Sequence, residues 1–347
     1  MKIADRVIDA HNRPYIIAEM SGNHNQSLDR ALEIVDAAAI NGADAIKLQT
    51  YTAETMTLDV RLPGFVIDDP KSLWAGRQLF ELYKEGSTPW EWHKPIMERA
   101  ASHGMHCFSS PFDATAVDFL ESLGVAAYKI ASFENIDLPL IRKAASTGKP
   151  MIISTGMANV AEIDEAVRTA RENGCGDLCL LKCTSTYPAK PENTNIATIP
   201  HMRAMFGCEV GLSDHTMGSG VAVAAVALGA TLIEKHFTLA RADGGVDSAF
   251  SMEPQELRQL CEETESARLA LGRVSYGPTP AEMKSLAFRR SLYIAQDVKC
   301  GDVLDVNTVR AVRPGFGLPP KFLNAVVGRR VARDAPAGTP LSWDLLA

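Results

Sequence analysis

What most narrows the choice of fold is a repeated alternation: eight short, β-prone apolar runs, each followed by a segment with helical spacing and helical ends. The runs are YIIAEM (15–20), AIKLQT (45–50), HCFSSP (106–111), AYKIAS (127–132), MIISTG (151–156), LCLLKCTS (178–185), CEVGLSDH (208–215) and TLIEKHFT (231–238). Near-continuous apolar runs of this length belong to parallel strands covered on both faces, joined by crossover helices. Ser27 and Asn159 stand where N-caps belong, and Asn41-Gly42 and Asn173-Gly174 stand where those two helices should stop. The count predicts an α/β fold of the (β/α)8 TIM barrel type, for which about 250 residues is typical. An open doubly wound sheet fits less well, because no Gly-rich dinucleotide fingerprint follows the first run.

Two stretches depart from the alternation. Residues 51–88 separate AIKLQT from the helix-like PWEWHKPIMERAASHG, and a compact domain seldom carries so long an interval without a purpose. With LWAGRQLFELY inside it, that insertion is a candidate lid. After ALGRVSYGPTPAEMKSLAFRR the pattern changes to short β-prone pieces broken by turns. The expected organisation is a barrel over 1–272, a linker over 273–287 and a small β-rich domain over 288–347. A domain of about 60 residues has a marginal core, so this one is expected to dock on its own barrel or on a neighbouring subunit's.

Composition removes several classes of function. A formal charge of -7 and the lack of any Lys/Arg cluster argue against a nucleic-acid partner. The longest apolar stretch, VAVAAVALGATLI (221–233), is too short and too Gly-interrupted to span a bilayer, so no membrane role is expected. MKIADRVIDAHNR has no apolar signal core, which makes the cytoplasm the expected compartment. Seven dispersed cysteines suit that compartment as buried free thiols; Cys175, Cys179 and Cys183 lack zinc-ligand spacing.

Barrel active sites form at the C-terminal ends of the strands, and here those ends are polar. They offer Glu19, Lys47 and Gln49, Ser109 and Ser110, Lys129 with Ser132 and Glu134, Ser154 and Thr155, Thr184 with Ser185 and Tyr187, Ser213 with Asp214 and His215, then Glu234 and His236. Adjacent strands lie about 4.8 Å apart, so His215 and His236 can share one exchangeable divalent ion such as Mn²⁺, Mg²⁺ or Co²⁺. Taken singly, either histidine reads as a hydrogen-bonded structural residue. Lys47 and Lys129 sit in apolar strands, where an unpaired ammonium is costly. Each either pairs with Glu19 or Glu134, or binds an anion with Ser109, Ser132, Ser154 and Ser213 completing a phosphate cradle. A Schiff-base lysine of a metal-free aldolase is a third reading, which the histidine pair disfavours. Arg313, in VRPGFG, is either an exposed turn residue or one that reaches a substrate across an interface.

The motifs IAEMSGNH, GADAIKLQTY, FSSPFD, YKIASFE, STGM, KCTSTYP, GLSDHT and EKHFTL, followed by RPGFG, resemble the sialic acid synthase family along the whole chain. The resemblance implies a barrel joined to an antifreeze-like (SAF) domain, a domain-swapped homodimer, and condensation of phosphoenolpyruvate with an N-acylated amino sugar. LWAGRQLFELY, TPWEWH, KCTSTYP and VRPGFGLPPKF are most similar to its pseudaminic acid branch, whose sugar is 2,4-diacetamido-2,4,6-trideoxy-β-L-altropyranose. The N-acetylneuraminate and legionaminate branches stay open, as does a protein that binds such a sugar without turning it over.

By position, the resemblance implies His215 and His236 as metal ligands, Lys47 against the carboxylate of phosphoenolpyruvate, and Lys129, Ser132, Ser154 and Ser213 around its phosphate. Gln49, Tyr187 and Asp247 match positions lining the reacting centre or the sugar, with Glu19 or Glu134 handling water. Arg313 matches an arginine that the swapped domain delivers to the partner's site. Ser185 stands where neuraminate-forming members have Asn, and either Trp74 or Arg77 is expected to supply the lid contact.

Overall fold

A computed structural model describes residues 1–347, which divide into two compact units, Met1–Gly272 and Arg273–Ala347. In the first, eight parallel strands close on themselves: β1 (Tyr15–Glu19), β2 (Ala45–Thr50), β3 (His106–Pro111), β4 (Tyr128–Ile130), β5 (Met151–Ser154), β6 (Leu178–Cys183), β7 (Glu209–Ser213) and β8 (Leu232–His236). β8 pairs with both β7 and β1, which completes the barrel. Each strand is followed by a helix, from Leu28–Ile40 after β1 to Pro254–Leu271 after β8.

The local chemistry explains where the helices begin and end. Ser27 caps Leu28–Ile40 by accepting from the Arg30 N–H, and Asn159 and Glu162 close a reciprocal capping box on Val160–Glu172. Several apolar runs extend beyond their strands: AYKIAS is strand only over Tyr128–Ile130, and CEVGLSDH only over Glu209–Ser213. Their polar tails leave the ladder and turn over the barrel's C-terminal end, where Ser132–Glu134 forms one turn of 3-10 helix. His215 therefore sits on a loop, whereas His236 is the last residue of its strand.

Alternation along each strand sorts side chains between two compartments. Outward residues such as Ile46, Ile153, Leu212 and Ile233 pack against the helices in the larger core. Inward residues of the lower half, among them Tyr15, Ile17, Phe108, Ile152, Leu181 and Leu232, fill the barrel with Ile3 and Ile8 from the N-terminal segment. Residues 51–88 are ordered: a short helix Ala53–Met56, an antiparallel bridge between Val66 and Gln78, and a helix Leu79–Gly86.

The second unit is built on one antiparallel pair, β9 (Ser291–Ile294) and β10 (Val309–Val312), with single bridges such as Val331 to Leu346 closing the loops. Leu292, Ile294, Leu304, Val326, Leu341 and Leu345 form its core. Residues 273–287, expected as a linker, cluster with this unit, and Pro280–Phe288 is a 3-10 helix that begins in a Thr279–Glu282 capping box.

Candidate active site

Inward residues of the upper half of the strands open into a cavity of about 330 Å³ at the C-terminal end of the barrel. Four charges meet at its base. Lys47 is in direct contact with Glu19 and lies 3.9 Å from Glu234, and Lys129 lies 3.5 Å from Glu234. All four side chains are buried, so two ammonium groups and two carboxylates balance one another away from water. Gln49 donates to Glu19 at 3.1 Å, Ser213 donates to Glu234 at 3.2 Å, and Lys47 donates to the Ser110 hydroxyl at 3.2 Å.

Lys129 was expected to pair with Glu19 or Glu134; its partner is Glu234. That residue, among the polar strand ends but given no role there, faces the cavity two positions before His236, on the same inward side of β8. The parity of β8 is the signal that could have given it one: if His236 points inward, so does Glu234.

The carboxylates differ in acidity. Burial pushes Glu19 up to about 7, against the opposing pull of Lys47. Burial likewise pushes Glu134 up to about 7. Burial works in the same direction on Glu234, but Lys129 and Lys47 outweigh it and hold that carboxyl below its ordinary range. The buried atoms Ser154 Oγ, Glu134 Oε2 and Glu234 Oε2 have no hydrogen-bond partner in the protein. Unspent hydrogen-bonding capacity beside buried lysines suits a polar, anionic ligand.

Above Lys129, Ser132 accepts from the Gly156 N–H at 3.2 Å. A Cβ at Gly156 would stand 2.6 Å from Ser132 Oγ and closer still to Ser185 Oγ, so only glycine fits this turn. Ser185 packs against this turn and is not in the cavity lining, although it was expected at the phosphate. Ser109 is a clearer correction. It points outward, bonded to Thr50 at 2.6 Å, and Thr50 in turn meets His93 at 2.7 Å. Ser110 touches the site only through Lys47. Arg313 belongs to the second unit, just after β10, and is exposed.

Glu19, Lys47, Gln49, Lys129, Ser132, Glu134, Ser154, Tyr187, Ser213, His215, His236 and Asp247 all line the one cavity, together with Cys183, a buried free thiol as expected. The insertion covers it with Trp74, whose indole N–H donates to the Val246 carbonyl at 2.8 Å and whose ring packs on Tyr187. Arg77 pairs with Glu85 and is not part of the lining, so of the two candidates for the lid only Trp74 faces the cavity.

His215 and His236 have ring centroids 5.3 Å apart. His215 Nδ1 donates to the Thr184 carbonyl at 2.9 Å, and His236 Nδ1 lies 3.2 Å from Ser21 Oγ, leaving both Nε2 atoms without a protein partner. Burial, then the charge of His215, keeps His236 well below the ordinary histidine range, hence neutral. A neutral imidazole oriented through Nδ1 is fit to ligate through Nε2, as His236 is. Burial works the same way on His215, but Cys183 beside it outweighs burial and holds that imidazole above its ordinary range, so His215 would give up its proton to an incoming cation. No third His, Cys, Asp or Glu joins them in a metal-holding group, so an ion there would complete its shell with substrate or water.

Comparison with known proteins agrees with this architecture. The model of the NeuB family matches residues 34–276, and that of the SAF domain matches residues 289–347. Pseudaminic acid synthase of Helicobacter pylori is 43% identical over 332 residues, covering 95% of this chain and 97% of that protein. N,N'-diacetyllegionaminic acid synthase of Legionella pneumophila is 36% identical, covering 95% of this chain and 94% of that one. The crystal structure of N-acetylneuraminic acid (sialic acid) synthetase from Leptospira borgpetersenii, in complex with citrate, superposes with a TM-score of 0.73 at 31% identity, covering 82% of this chain and 94% of that chain.

Proposed function

This chain belongs to the NeuB family, and from that premise we propose that it condenses phosphoenolpyruvate with 2,4-diacetamido-2,4,6-trideoxy-β-L-altropyranose and water, giving pseudaminic acid and phosphate. The observation that carries the reading is the single cavity in which Lys47 and Lys129, three hydroxyls with Ser132, Ser154 and Ser213, two carboxylates near neutrality and the histidine pair converge. The choice of sugar rests on the 43% identity to a pseudaminic acid synthase.

In this reading Lys47 takes the carboxylate of phosphoenolpyruvate, and Lys129 with Ser132, Ser154 and Ser213 takes the phosphate. Carbon 3 of phosphoenolpyruvate attacks the aldehyde carbon of the open-chain sugar, whose oxygen takes the proton of Glu134 and leaves that carboxylate ionised. Water then adds to the cationic carbon 2, and the resulting hemiketal phosphate collapses by C–O cleavage to release phosphate. Glu134 accepts the proton of that water, because its Oε2 is free and its acidity is near neutral, whereas Glu19 is engaged by Lys47 and Gln49. A divalent ion such as Mn²⁺, held by His215 and His236, supplies Lewis acidity for the sugar carbonyl when bound. Trp74 and Tyr187 exclude water from the side of the histidines.

We also assign Arg313 to the sugar of a second copy, in a domain-swapped homodimer. Its exposure, together with the exposed apolar side chains Tyr276, Phe288 and Phe316 of the same unit, supports that assignment.

The deciding experiment is phosphate release from phosphoenolpyruvate with Mn²⁺, comparing the altro-configured sugar, its legionaminic-type isomer and N-acetylmannosamine, with and without EDTA. Chelator-sensitive release with the altro sugar alone is expected. Preference for another of the three moves the specificity to a sister branch, and no release with any of them overturns the enzymatic reading.

A further inference from the structure

One pattern at the two histidine-bearing strand ends is not absorbed by that chemistry. An ionisable residue stands immediately before each imidazole: Asp214 before His215, and Lys235 before His236. Alternation turns both away from the cavity, into the layer between strands and helices, where they are 3% and 2% exposed. The parallel register of β7 and β8 runs Ile233 beside Leu212 and Glu234 beside Ser213, which brings Lys235 next to Asp214.

Lys235 Nζ donates to Asp214 Oδ2 at 2.8 Å, to the Thr216 carbonyl at 2.7 Å and to the Gly218 carbonyl at 2.9 Å. All three ammonium hydrogens are used. Asp214 Oδ1 accepts from the Thr216 N–H at 2.9 Å and from its hydroxyl at 2.8 Å. The acceptors at 214, 216 and 218 lie on both sides of His215, which is on a loop rather than in a strand. One side chain from the strand of His236 therefore ties down the loop of His215.

A purely structural role explains this poorly. A buried ion pair is a weak source of stability, because desolvation of two charges offsets their attraction, and the apolar pair Ile233 and Leu212 two residues earlier already joins the strands on that face. What charge and hydrogen bonds add over apolar contact is direction.

We propose that Lys235 and Asp214 are positioning residues that set the separation of the two imidazoles and so the affinity of the site for a divalent cation. This rests on the reading of His215 and His236 as metal ligands. Partners that orient ligands typically tune metal affinity by roughly 10- to 100-fold.

The test is a Mn²⁺ titration of the full-length protein, followed by the electron paramagnetic resonance of the free aqueous ion, beside thermal melts. It compares the unaltered chain, Lys235→Met, and the double variant Asp214→Asn/Lys235→Met. The single variant is expected to bind Mn²⁺ about 10- to 100-fold more weakly. The double variant leaves no unpaired buried charge and should melt above the single variant, yet remain about 10-fold weaker in Mn²⁺ because the Thr216 and Gly218 carbonyls have lost their donor. If Lys235→Met does not fold, the double variant decides alone. A folded double variant with unaltered Mn²⁺ affinity overturns the proposal. An unaltered chain that does not retain Mn²⁺ fails earlier, and the ligand reading of the histidines falls together with this inference.

Discussion

Along the inward face of the barrel, two residues separate a packed core from an ionised site. Ile17 is followed by Glu19, Ala45 by Lys47, Ala127 by Lys129, Ile152 by Ser154, Leu181 by Cys183 and Leu232 by Glu234; the first of each pair belongs to the interior apolar cluster and the second to the cavity. Backbone and pairing are the same in both halves, so the difference lies wholly in the side chains. The lower half gains free energy by removing apolar surface from water. The upper half cannot, and it tolerates burial only because Lys47 and Lys129 are matched by Glu19 and Glu234. Stability and chemistry are therefore carried by different residues of the same strands, and a substitution should disturb mainly one or the other.

The sharpest way to break that division is to replace a charged pair of the upper half by apolar residues. For the double variant Lys129→Met/Glu234→Leu, phosphate release should fall by about 10³-fold or more, since aligned donors are each worth roughly 10²- to 10³-fold. Its melting temperature should hold or rise, because well-packed apolar replacements of a buried pair are often neutral or stabilising. The single variant Lys129→Met should instead lose about 3–5 kcal/mol by denaturant titration, as Glu234 loses its nearer cation. A double variant as unstable as the single one would show that the upper half also holds the barrel together.

The reciprocal substitution lies in the lower half. Phe108→Ala should cost about 3–5 kcal/mol of stability, through lost burial and the cavity left behind. At a temperature where the variant is folded, turnover per molecule should stay within about threefold of the parent, an effect below roughly 1 kcal/mol. Inactivity in the folded variant would mean that packing below sets the geometry above.

A third comparison sets this interior against the titratable groups packed outside the barrel. His24 and His93 are both held down to about 4, chiefly by burial. Unfolding restores a value near 6.5, so the unfolded chain binds more protons between these limits, and stability must fall as pH drops from about 6.5 to about 4. The contribution of each is on the order of 3 kcal/mol. His93→Gln should flatten the pH dependence of the unfolding free energy within that window and leave it unchanged above pH 7. An unaltered slope would show that other groups drive acid unfolding.

The limits of reading this molecule from its sequence follow from the same geometry. Strand number, the caps at Ser27 and Asn159, and the adjacency of His215 and His236 were legible because each depends on local patterning or on strands consecutive in sequence. The partner of Lys129 was not, since Glu234 approaches it across the closed barrel, a contact set by the pairing of β8 with β1. Nor was the choice between Trp74 and Arg77, because it depends on which side of the Val66–Gln78 turn faces inward. The two adjacent serines of HCFSSP show the obstacle most simply. In a strand buried on both faces, Cys107 and Phe108 are equally apolar, and no alternation remains to tell inside from outside.

That ambiguity yields the smallest expected effect. Ser109 and Ser154 are both buried strand serines, and the sequence offered both for the phosphate. Ser109 faces the helices, where its hydroxyl satisfies Thr50, so Ser109→Ala should cost about 1 kcal/mol of stability and leave the KM for phosphoenolpyruvate unchanged. Ser154 faces the cavity with its hydroxyl unpartnered, so Ser154→Ala should leave stability alone, there being no protein bond to lose. Its cost should appear on binding, as a KM for phosphoenolpyruvate raised about 10-fold by the loss of one charge-assisted hydrogen bond of roughly 1.5 kcal/mol. Steady-state kinetics and denaturant titration of the two variants thus give opposite patterns from one chemical change. Equal patterns would mean that the inward or outward direction of a strand residue does not decide its role here.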